Sequence, residues 1–152
     1  MTEICALQNG VLEAGFCAYE LPVQASKPRS VLSVGTTNFL ALERGTTSVI
    51  YVFDSDGDGI PESRQTVASA SSLNHGLEIF DGFLYASSDT TVYRWPYTEF
   101  LAPVGDVEIV INNINADGRG GAPQGHTTRT LAFDDMGRLY VSVGVRICWR
   151  DG

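Results

Sequence analysis

A histidine and an arginine stand three residues apart within the stretch 125–133, directly before an apolar run. Near neutral pH the imidazole of His126 can accept a proton. The guanidinium of Arg129 donates paired hydrogen bonds to carboxylates. This combination suits proton transfer beside an acidic ligand. The run that follows is interrupted by a polar turn over 134–137, which predicts a loop, a strand, a tight turn and a second strand.

The same succession of short apolar strands and turns occurs earlier in the chain, at intervals of about 45–55 residues. Strands are predicted over 28–34, 39–43, 49–53, 64–68, 74–80, 83–87, 91–95 and 107–111. Units of four short strands at this interval are typical of β-propeller blades; a β-sandwich or an irregular barrel would not require the repeat. We predict an all-β fold, a β-propeller of four-stranded antiparallel blades.

The chain divides into three parts on this interpretation. Residues 1–24 form a lead-in segment, with a candidate strand over 16–22, and residues 25–144 hold about two and a half blades. Because a propeller closes with about four to eight blades, we expect this sequence to be the N-terminal part of a longer protein. Residues 145–152 do not continue the pattern, and we interpret them as a truncation or a shifted reading frame.

Aligning the units by apolar positions equates Val31 with Leu77 and Leu131, and Leu40 with Leu84 and Leu139. Arg29, His75 and Arg129 then each lie two residues before an aligned position. The first strand of each blade lines the central channel, so these three side chains are predicted to meet at one channel mouth. A cationic mouth in an acidic chain would attract a small ligand that carries carboxylates. The structural alternative is that they bind carbonyl groups of neighbouring blades.

An acidic loop lies between two predicted strands at residues 54–62. The candidate calcium ligands are Asp54, Asp56, Asp58, Glu62 and the carbonyl group of Ile60. Calcium takes six to eight oxygen ligands, and the glycines of this loop permit a tight backbone. The loop differs from a helix-loop-helix calcium site, whose twelfth position is glutamate, so a solvated hairpin turn is the alternative. A bound ion here would stiffen the turn and take no part in chemistry.

Composition limits the function classes. The net charge of −8 argues against a nucleic-acid or anionic-membrane surface. No apolar stretch approaches the roughly 18 residues of a membrane span, and the first residues lack the pattern of a signal peptide. Cys5 and Cys17 can pair in an oxidising compartment, or all three cysteines can be free. A secreted or periplasmic parent protein would fit the pairing.

Several stretches together resemble the sorbosone-dehydrogenase and pyranose-dehydrogenase branch of the soluble quinoprotein sugar dehydrogenases. They are 28–29, 43–45, 73–77, 84–88, 92–97 and 125–131. The resemblance covers about residues 16–144. The stretch from His126 to Arg129 is its most specific part, because other propellers share the hairpins.

The resemblance implies a six-bladed propeller that holds pyrroloquinoline quinone (PQQ) at the channel mouth and oxidises an aldose or related sugar. It implies that His126 is the base for the sugar hydroxyl, and that Arg129 holds either the imidazole or the cofactor's carboxylates. Asn74 and His75 match cofactor contacts, and the repeat adds Arg29 to that set. An external electron acceptor would complete the reaction.

Two other functions remain open on the residues alone. A non-catalytic propeller would bind a partner or glycan at the channel mouth without quinone, and a calcium-stiffened module would have no site. The 152-residue chain by itself is expected to be an inactive fragment.

Overall fold

In the computed structural model the described residues, 10–98, 105–114 and 127–144, form ten β-strands and no helix. The strands are β1 (Pro28–Ser33), β2 (Phe39–Glu43), β3 (Ser48–Phe53), β4 (Ser63–Ser69), β5 (Leu77–Phe80), β6 (Phe83–Ser87), β7 (Val92–Pro96), β8 (Glu108–Ile111), β9 (Leu131–Phe133) and β10 (Leu139–Val141). Strands β1 to β4 form sheet 1, β5 to β8 form sheet 2, and β9 and β10 form hairpin 3. The prediction of an all-β fold built from four-stranded antiparallel sheets is confirmed.

The turns explain where the strands end. Asp81 and Gly82 both adopt positive φ, at 47° and 75°, and they leave Phe80 directly opposite Phe83. A two-residue Asp-Gly turn of this kind matches the twist of the strands that it joins. Hairpin 3 turns where the carboxylate of Asp134 accepts the N–H groups of Met136 and Arg138.

The sheets and the hairpin pack face to face in chain order. Sheet 1 and sheet 2 share the largest core, with Leu40, Leu42 and Tyr51 on one side and Leu84 and Trp95 on the other. The far face of sheet 2 packs against hairpin 3. The first strands are neighbours, because β5 contacts both β1 and β9. The strands that open each unit therefore line up side by side.

The lead-in segment covers the outer face of sheet 1. Val23 packs against Ala41, Ile50 and Val52, although residues 10–27 contain no strand, so the prediction of a strand over 16–22 is wrong. Cys17 is disulfide-bonded, which contradicts the alternative of three free cysteines. The other two cysteines lie outside the described residues, and the pairing of Cys17 with Cys5 stays a prediction.

The strand pairs correct one part of the predicted alignment. Val31 pairs with Ala41 just as Leu77 pairs with Ala86, so these first-strand positions are equivalent as predicted. Ala41 and Ala86 are therefore equivalent. Two residues before them on the second strands lie Phe39 and Leu84, so the predicted match of Leu40 with Leu84 is out of register by one residue. The run from Phe39 to Leu42 is apolar throughout, so apolar matching could not fix its register, and a one-residue slip exchanges the two faces of a strand.

Candidate cofactor and active site

Strands β1, β5 and β9 begin at the same end of the sheets, which we call the entry end. The turns between β2 and β3 and between β6 and β7 lie at this end too. Ser87 N donates to Gly76 O at 3.1 Å, and Ser142 N donates to Thr130 O at 3.0 Å in the next unit. These matching bonds make His75 and Arg129 equivalent in position, because each lies one residue before the accepting carbonyl.

The three cationic candidates differ in exposure. Arg29 is exposed and lies at a register shift between Pro28 and Ser30. His75 is half-buried, and Arg129 is fully buried, with its Nη1 atom donating to Thr128 O at 2.8 Å. The three residues lie at one end of the molecule, but they do not form a uniformly open ring of charge.

Two buried polar atoms at the entry end have no hydrogen-bond partner among the described residues. They are Oδ1 of Asn74 and Nδ1 of His75. Asn74 is 7% exposed, and its Nδ2 atom donates to Thr127 O at 2.8 Å. A buried polar atom without a partner costs about 1–3 kcal/mol. Both atoms are therefore suited to meet a ligand or a water molecule.

A polar cleft of about 280 Å³ is lined by Asn74, but not by His75. Its walls come from the two entry-end turns, from the segment before β5 and from the segment before β9: Arg44, Thr47, Ser72, Leu73, Asn74, Asp89 and Thr127. Sequence reasoning found only Asn74 as a binding residue here. Arg44 and Asp89 each follow the second strand of a unit by one or two residues, so turn positions compared across the repeat would have indicated them.

His126 lies outside the described residues. Its chain neighbour Thr127 is described and contributes to the wall of the cleft. Because Thr127 O is held by the amide of Asn74, the segment that follows His126 is fixed at the cleft.

The acidic loop lies at the end of the sheets opposite the cleft. It joins β3 to β4, and Asp54 N donates to Asn38 Oδ1 in the turn between β1 and β2. Carboxylate oxygens of Asp54, Asp56 and Asp58 lie within 4.8 Å of one another. Hydrogen bonds from Gly59 N and Gly57 N hold the pKa of Asp54 below its ordinary value.

Glu62 and Ile60 contribute differently to this loop. Glu62 is not part of the group of three carboxylates, because its Oε1 atom accepts hydrogen bonds from Ser55 N and Ser55 Oγ. Ile60 is 40% exposed, and its N–H group donates to Asp58 Oδ1. The structure thus brings the carboxylates of Asp54, Asp56 and Asp58 together without Glu62, and the Ile60 carbonyl stays a predicted ligand.

The described residues include no helix long and apolar enough to cross a membrane. No match was found among curated proteins. Among solved structures, the holo form of the PQQ domain of pyranose dehydrogenase from Coprinopsis cinerea is 20% identical, with a TM-score of 0.60. That alignment covers 74% of this chain and 26% of the other chain, and at this identity it shows the fold alone.

Two structures of a carbohydrate-active enzyme of family AA12 from Trichoderma reesei are also similar. The iodide structure is 28% identical with a TM-score of 0.54, and the calcium structure is 27% identical with a TM-score of 0.56. Each covers 72% of this chain and 27% of the other, so the chain spans about a quarter of the length of these structures. The family model described as TrAA12-like matches residues 10–148, nearly the whole sequence. The chain therefore belongs to the TrAA12-like family.

Proposed function

We propose that this chain is the N-terminal part of a PQQ-dependent dehydrogenase that oxidises an aldose or related sugar. Each four-stranded sheet would be one blade of a six-bladed propeller. The observation that carries the proposal is the entry-end cleft, where the oxygen of the buried Asn74 amide has no partner among the described residues and lies beside the segment that contains Arg129. Membership of the TrAA12-like family and the likeness to a PQQ domain support it.

The residues at the entry end fit such a cofactor. PQQ carries carboxylates, and guanidinium groups bind carboxylates with paired hydrogen bonds. Arg29 and Arg44 are exposed at this end, and the orphaned atoms of Asn74 and His75 supply further polar contacts. When bound, PQQ would accept the hydride of the sugar oxidation.

We assign the proton transfer to His126. An unprotonated ring nitrogen would take the proton of the sugar hydroxyl while the adjacent carbon is oxidised. His126 directly precedes Thr127, a wall residue of the cleft, and this neighbourhood in the sequence supports the assignment. Arg129 would hold either that imidazole or a cofactor carboxylate.

Direct titration of the chain with PQQ tests the binding part of this proposal. Calorimetry or cofactor absorbance should show saturable binding. Arg44→Gln should weaken it about tenfold, since one charge-assisted contact is worth about 1.5–3 kcal/mol. Arg138→Gln is the matched control, because Arg138 is also exposed but lies in the turn of hairpin 3, away from the cleft. Equal affinities for the two variants would contradict the assignment of the cleft.

Activity separates the enzyme from a non-catalytic propeller. The complete gene product, loaded with PQQ and calcium, should reduce an artificial acceptor when given an aldose. His126→Ala should lower kcat by about 100-fold to 10,000-fold. Sugar binding that needs no quinone and survives His126→Ala would favour the non-catalytic alternative.

We further propose that the protein works outside the cytosol. Cys17 is disulfide-bonded, and disulfides persist in secreted and periplasmic proteins. An external acceptor of electrons fits such a compartment. Fractionation of the source cells, with antibody detection of the protein, tests this part.

The acidic loop is proposed as a structural calcium site. Asp54, Asp56 and Asp58 converge, and hard carboxylate oxygens are the ligands that calcium prefers. Because the loop lies opposite the cleft, a bound ion would stiffen the connection between β3 and β4 and would not contact the sugar.

A further inference from the structure

The segment that precedes hairpin 3 is bound to sheet 2 by two side-chain hydrogen bonds that end on the backbone of the segment. Ser87 Oγ donates to Arg129 O at 2.9 Å, and Asn74 Nδ2 donates to Thr127 O at 2.8 Å. Both side chains belong to sheet 2 or to the segment that enters it, and both are buried, at 0% and 7% exposure. The two carbonyl groups that they hold are alternate ones of a single segment.

A glycine makes this approach possible. A Cβ atom at Gly76 would overlap Arg129 O and Ser87 Oγ and would lie 2.7 Å from Leu131 Cγ. Gly76 N also donates to Ser87 Oγ at 2.8 Å. The hydroxyl of Ser87 therefore accepts from its own sheet and donates to the next unit, which orients its proton toward Arg129 O.

From these contacts we infer that Ser87 and Asn74 are positioning residues, which fix the backbone of residues 127–129 so that Thr127 keeps its place in the wall of the cleft and Arg129 keeps its buried position before β9. Their significance for catalysis depends on the proposed function; their action on the segment does not. Both bonds end on backbone carbonyl groups, so the positioning role requires no contact between either side chain and the substrate. Asn74 acts through its Nδ2 atom in this role, while its Oδ1 atom remains the ligand-facing atom.

The equivalent positions in the three units show where this hydroxyl link begins. Ser142 is the equivalent of Ser87, and its Oγ atom accepts from Thr130 N at 2.9 Å as Ser87 Oγ accepts from Gly76 N. In sheet 1 the equivalent position is Leu42, which is apolar and faces the core. The hydroxyl link therefore begins at sheet 2, the unit that receives the segment with the catalytic candidates.

Hydrogen exchange of the whole chain, read by mass spectrometry, tests the inference. Ser87→Ala should raise the exchange rate of peptides that cover 127–131 about tenfold, beyond any increase that the loss of global stability accounts for. The reason is the loss of one buried hydrogen bond. Ser88→Ala is the matched control: Ser88 is also buried and is adjacent, but within the described part of the chain its hydroxyl bonds its own turn, at Thr90 and Thr91. Ser88→Ala should leave that peptide unchanged once global stability is taken into account.

A second variant and a second readout keep the result interpretable. Asn74→Ala removes the other link near the edge of the cleft and should speed exchange of the same peptide, even if Ser87→Ala fails to fold. In a PQQ titration, Ser87→Ala should weaken binding about tenfold and Ser88→Ala should not. Failure of the unmodified chain to bind PQQ would count against the proposed function alone. Unchanged exchange of 127–131 in Ser87→Ala and Asn74→Ala, or an equal change in Ser88→Ala, would overturn the positioning role.

Discussion

Two segments dock onto sheets at the entry end, and they do so with opposite chemistry. Residues 24–27 dock onto sheet 1 through a charged clasp, which consists of Gln24, Ser26, Glu43 and Arg64. Residues 127–130 dock onto sheet 2 through a neutral clasp, which consists of Asn74, Gly76 and Ser87. Each clasp includes a glycine at the point of closest approach, Gly45 in the first case and Gly76 in the second.

The charged clasp centres on one fully buried carboxylate. Glu43 accepts from Ser26 N at 2.7 Å, from Thr46 Oγ at 2.8 Å, and from both terminal nitrogens of Arg64 at 2.9 and 3.0 Å. Burial of the carboxylate opposes its ionisation, but these hydrogen bonds outweigh burial and hold the pKa of Glu43 below its ordinary value. Truncating one partner of such a pair leaves a buried charge uncompensated.

The neutral clasp holds its segment without an ionisable group. Its bonds run from an amide and a hydroxyl to backbone carbonyls, so it should keep one geometry over a wide range of pH. The two segments are therefore held in different ways. Charged groups hold the lead-in segment strongly, whereas neutral donors hold the segment beside the cleft in a geometry that does not change with pH.

The largest effect is expected from Gly76→Ala. The new methyl group would overlap backbone oxygen of Arg129, which cannot move without moving the whole segment. We expect a loss of about 3 kcal/mol in the free energy of unfolding, measured by urea denaturation. Gly105→Ala is the control, because its Cβ atom would meet Pro96 Cγ at an ordinary 3.5 Å. Equal stabilities of the two variants would show that hairpin 3 does not approach sheet 2 as closely as described.

A smaller effect, with a pH dependence, is expected from Glu43→Gln. At pH 7 the variant should be less stable than the unmodified chain by about 2 kcal/mol, because the bidentate pairing with Arg64 is lost. The pKa of Glu43 is lowered on folding, so the ionised carboxylate stabilises the folded chain. This stabilisation is fully present above the unfolded-state pKa of about 4.3, and it is lost as the pH falls through the folded-state pKa. The difference between the two proteins should therefore shrink below about pH 4.

Comparison with the neutral clasp sharpens this test. The pKa values of Asp54, Glu62 and Asp134 are also lowered, so the unmodified chain will lose stability in acid for several reasons. The difference between each variant and the unmodified chain isolates one clasp. For Ser87→Ala that difference should stay constant from about pH 7 to pH 3, because no ionisable group is removed. A constant difference for Glu43→Gln would contradict the role of its charge.

The sequence predicted the sheets better than it predicted the contacts between them. Strand β2 begins and ends as predicted because the turns on both sides of it are marked by residues that are close in the sequence. The register of Leu40 failed because its neighbours are apolar on both faces. Ser87 was not recognised as a clasp residue, because its importance depends on Arg129 O, which is 42 residues away in the chain.

The candidate site shows the same limit. The repeat correctly brought His75 and Arg129 to equivalent positions, since the strand ladder transmits register from one unit to the next. It did not indicate that Arg129 is buried while Arg29 is exposed, because burial depends on which element packs over each position. Residues of the cleft such as Thr47 and Asp89 lie in turns, where hydrophobic periodicity carries no information.

The smallest effect is expected at the acidic loop, which lies at the end of the sheets opposite the cleft. Calcium that binds the folded chain should raise its melting temperature by a few degrees at a concentration about five times the dissociation constant, since linkage then gives about 1 kcal/mol. Asp56→Asn should abolish this rise, because it removes one of the three converging carboxylates. It should leave the neutral clasp unchanged, as hydrogen exchange of residues 127–131 would show.

Asp81→Asn is the matched control for calcium. Asp81 is an exposed carboxylate in the turn between β5 and β6, at the same end of the sheets as the acidic loop but outside the group of three. Both variants remove one negative charge, so any general screening of the acidic chain by calcium would change equally in the two. A rise in melting temperature that survives Asp56→Asn, or is lost in Asp81→Asn as well, would show that calcium acts on the overall charge and not on this loop. That outcome would remove the proposed calcium site and would leave the neutral clasp and the cleft untouched, because neither contains a ligand of the proposed ion.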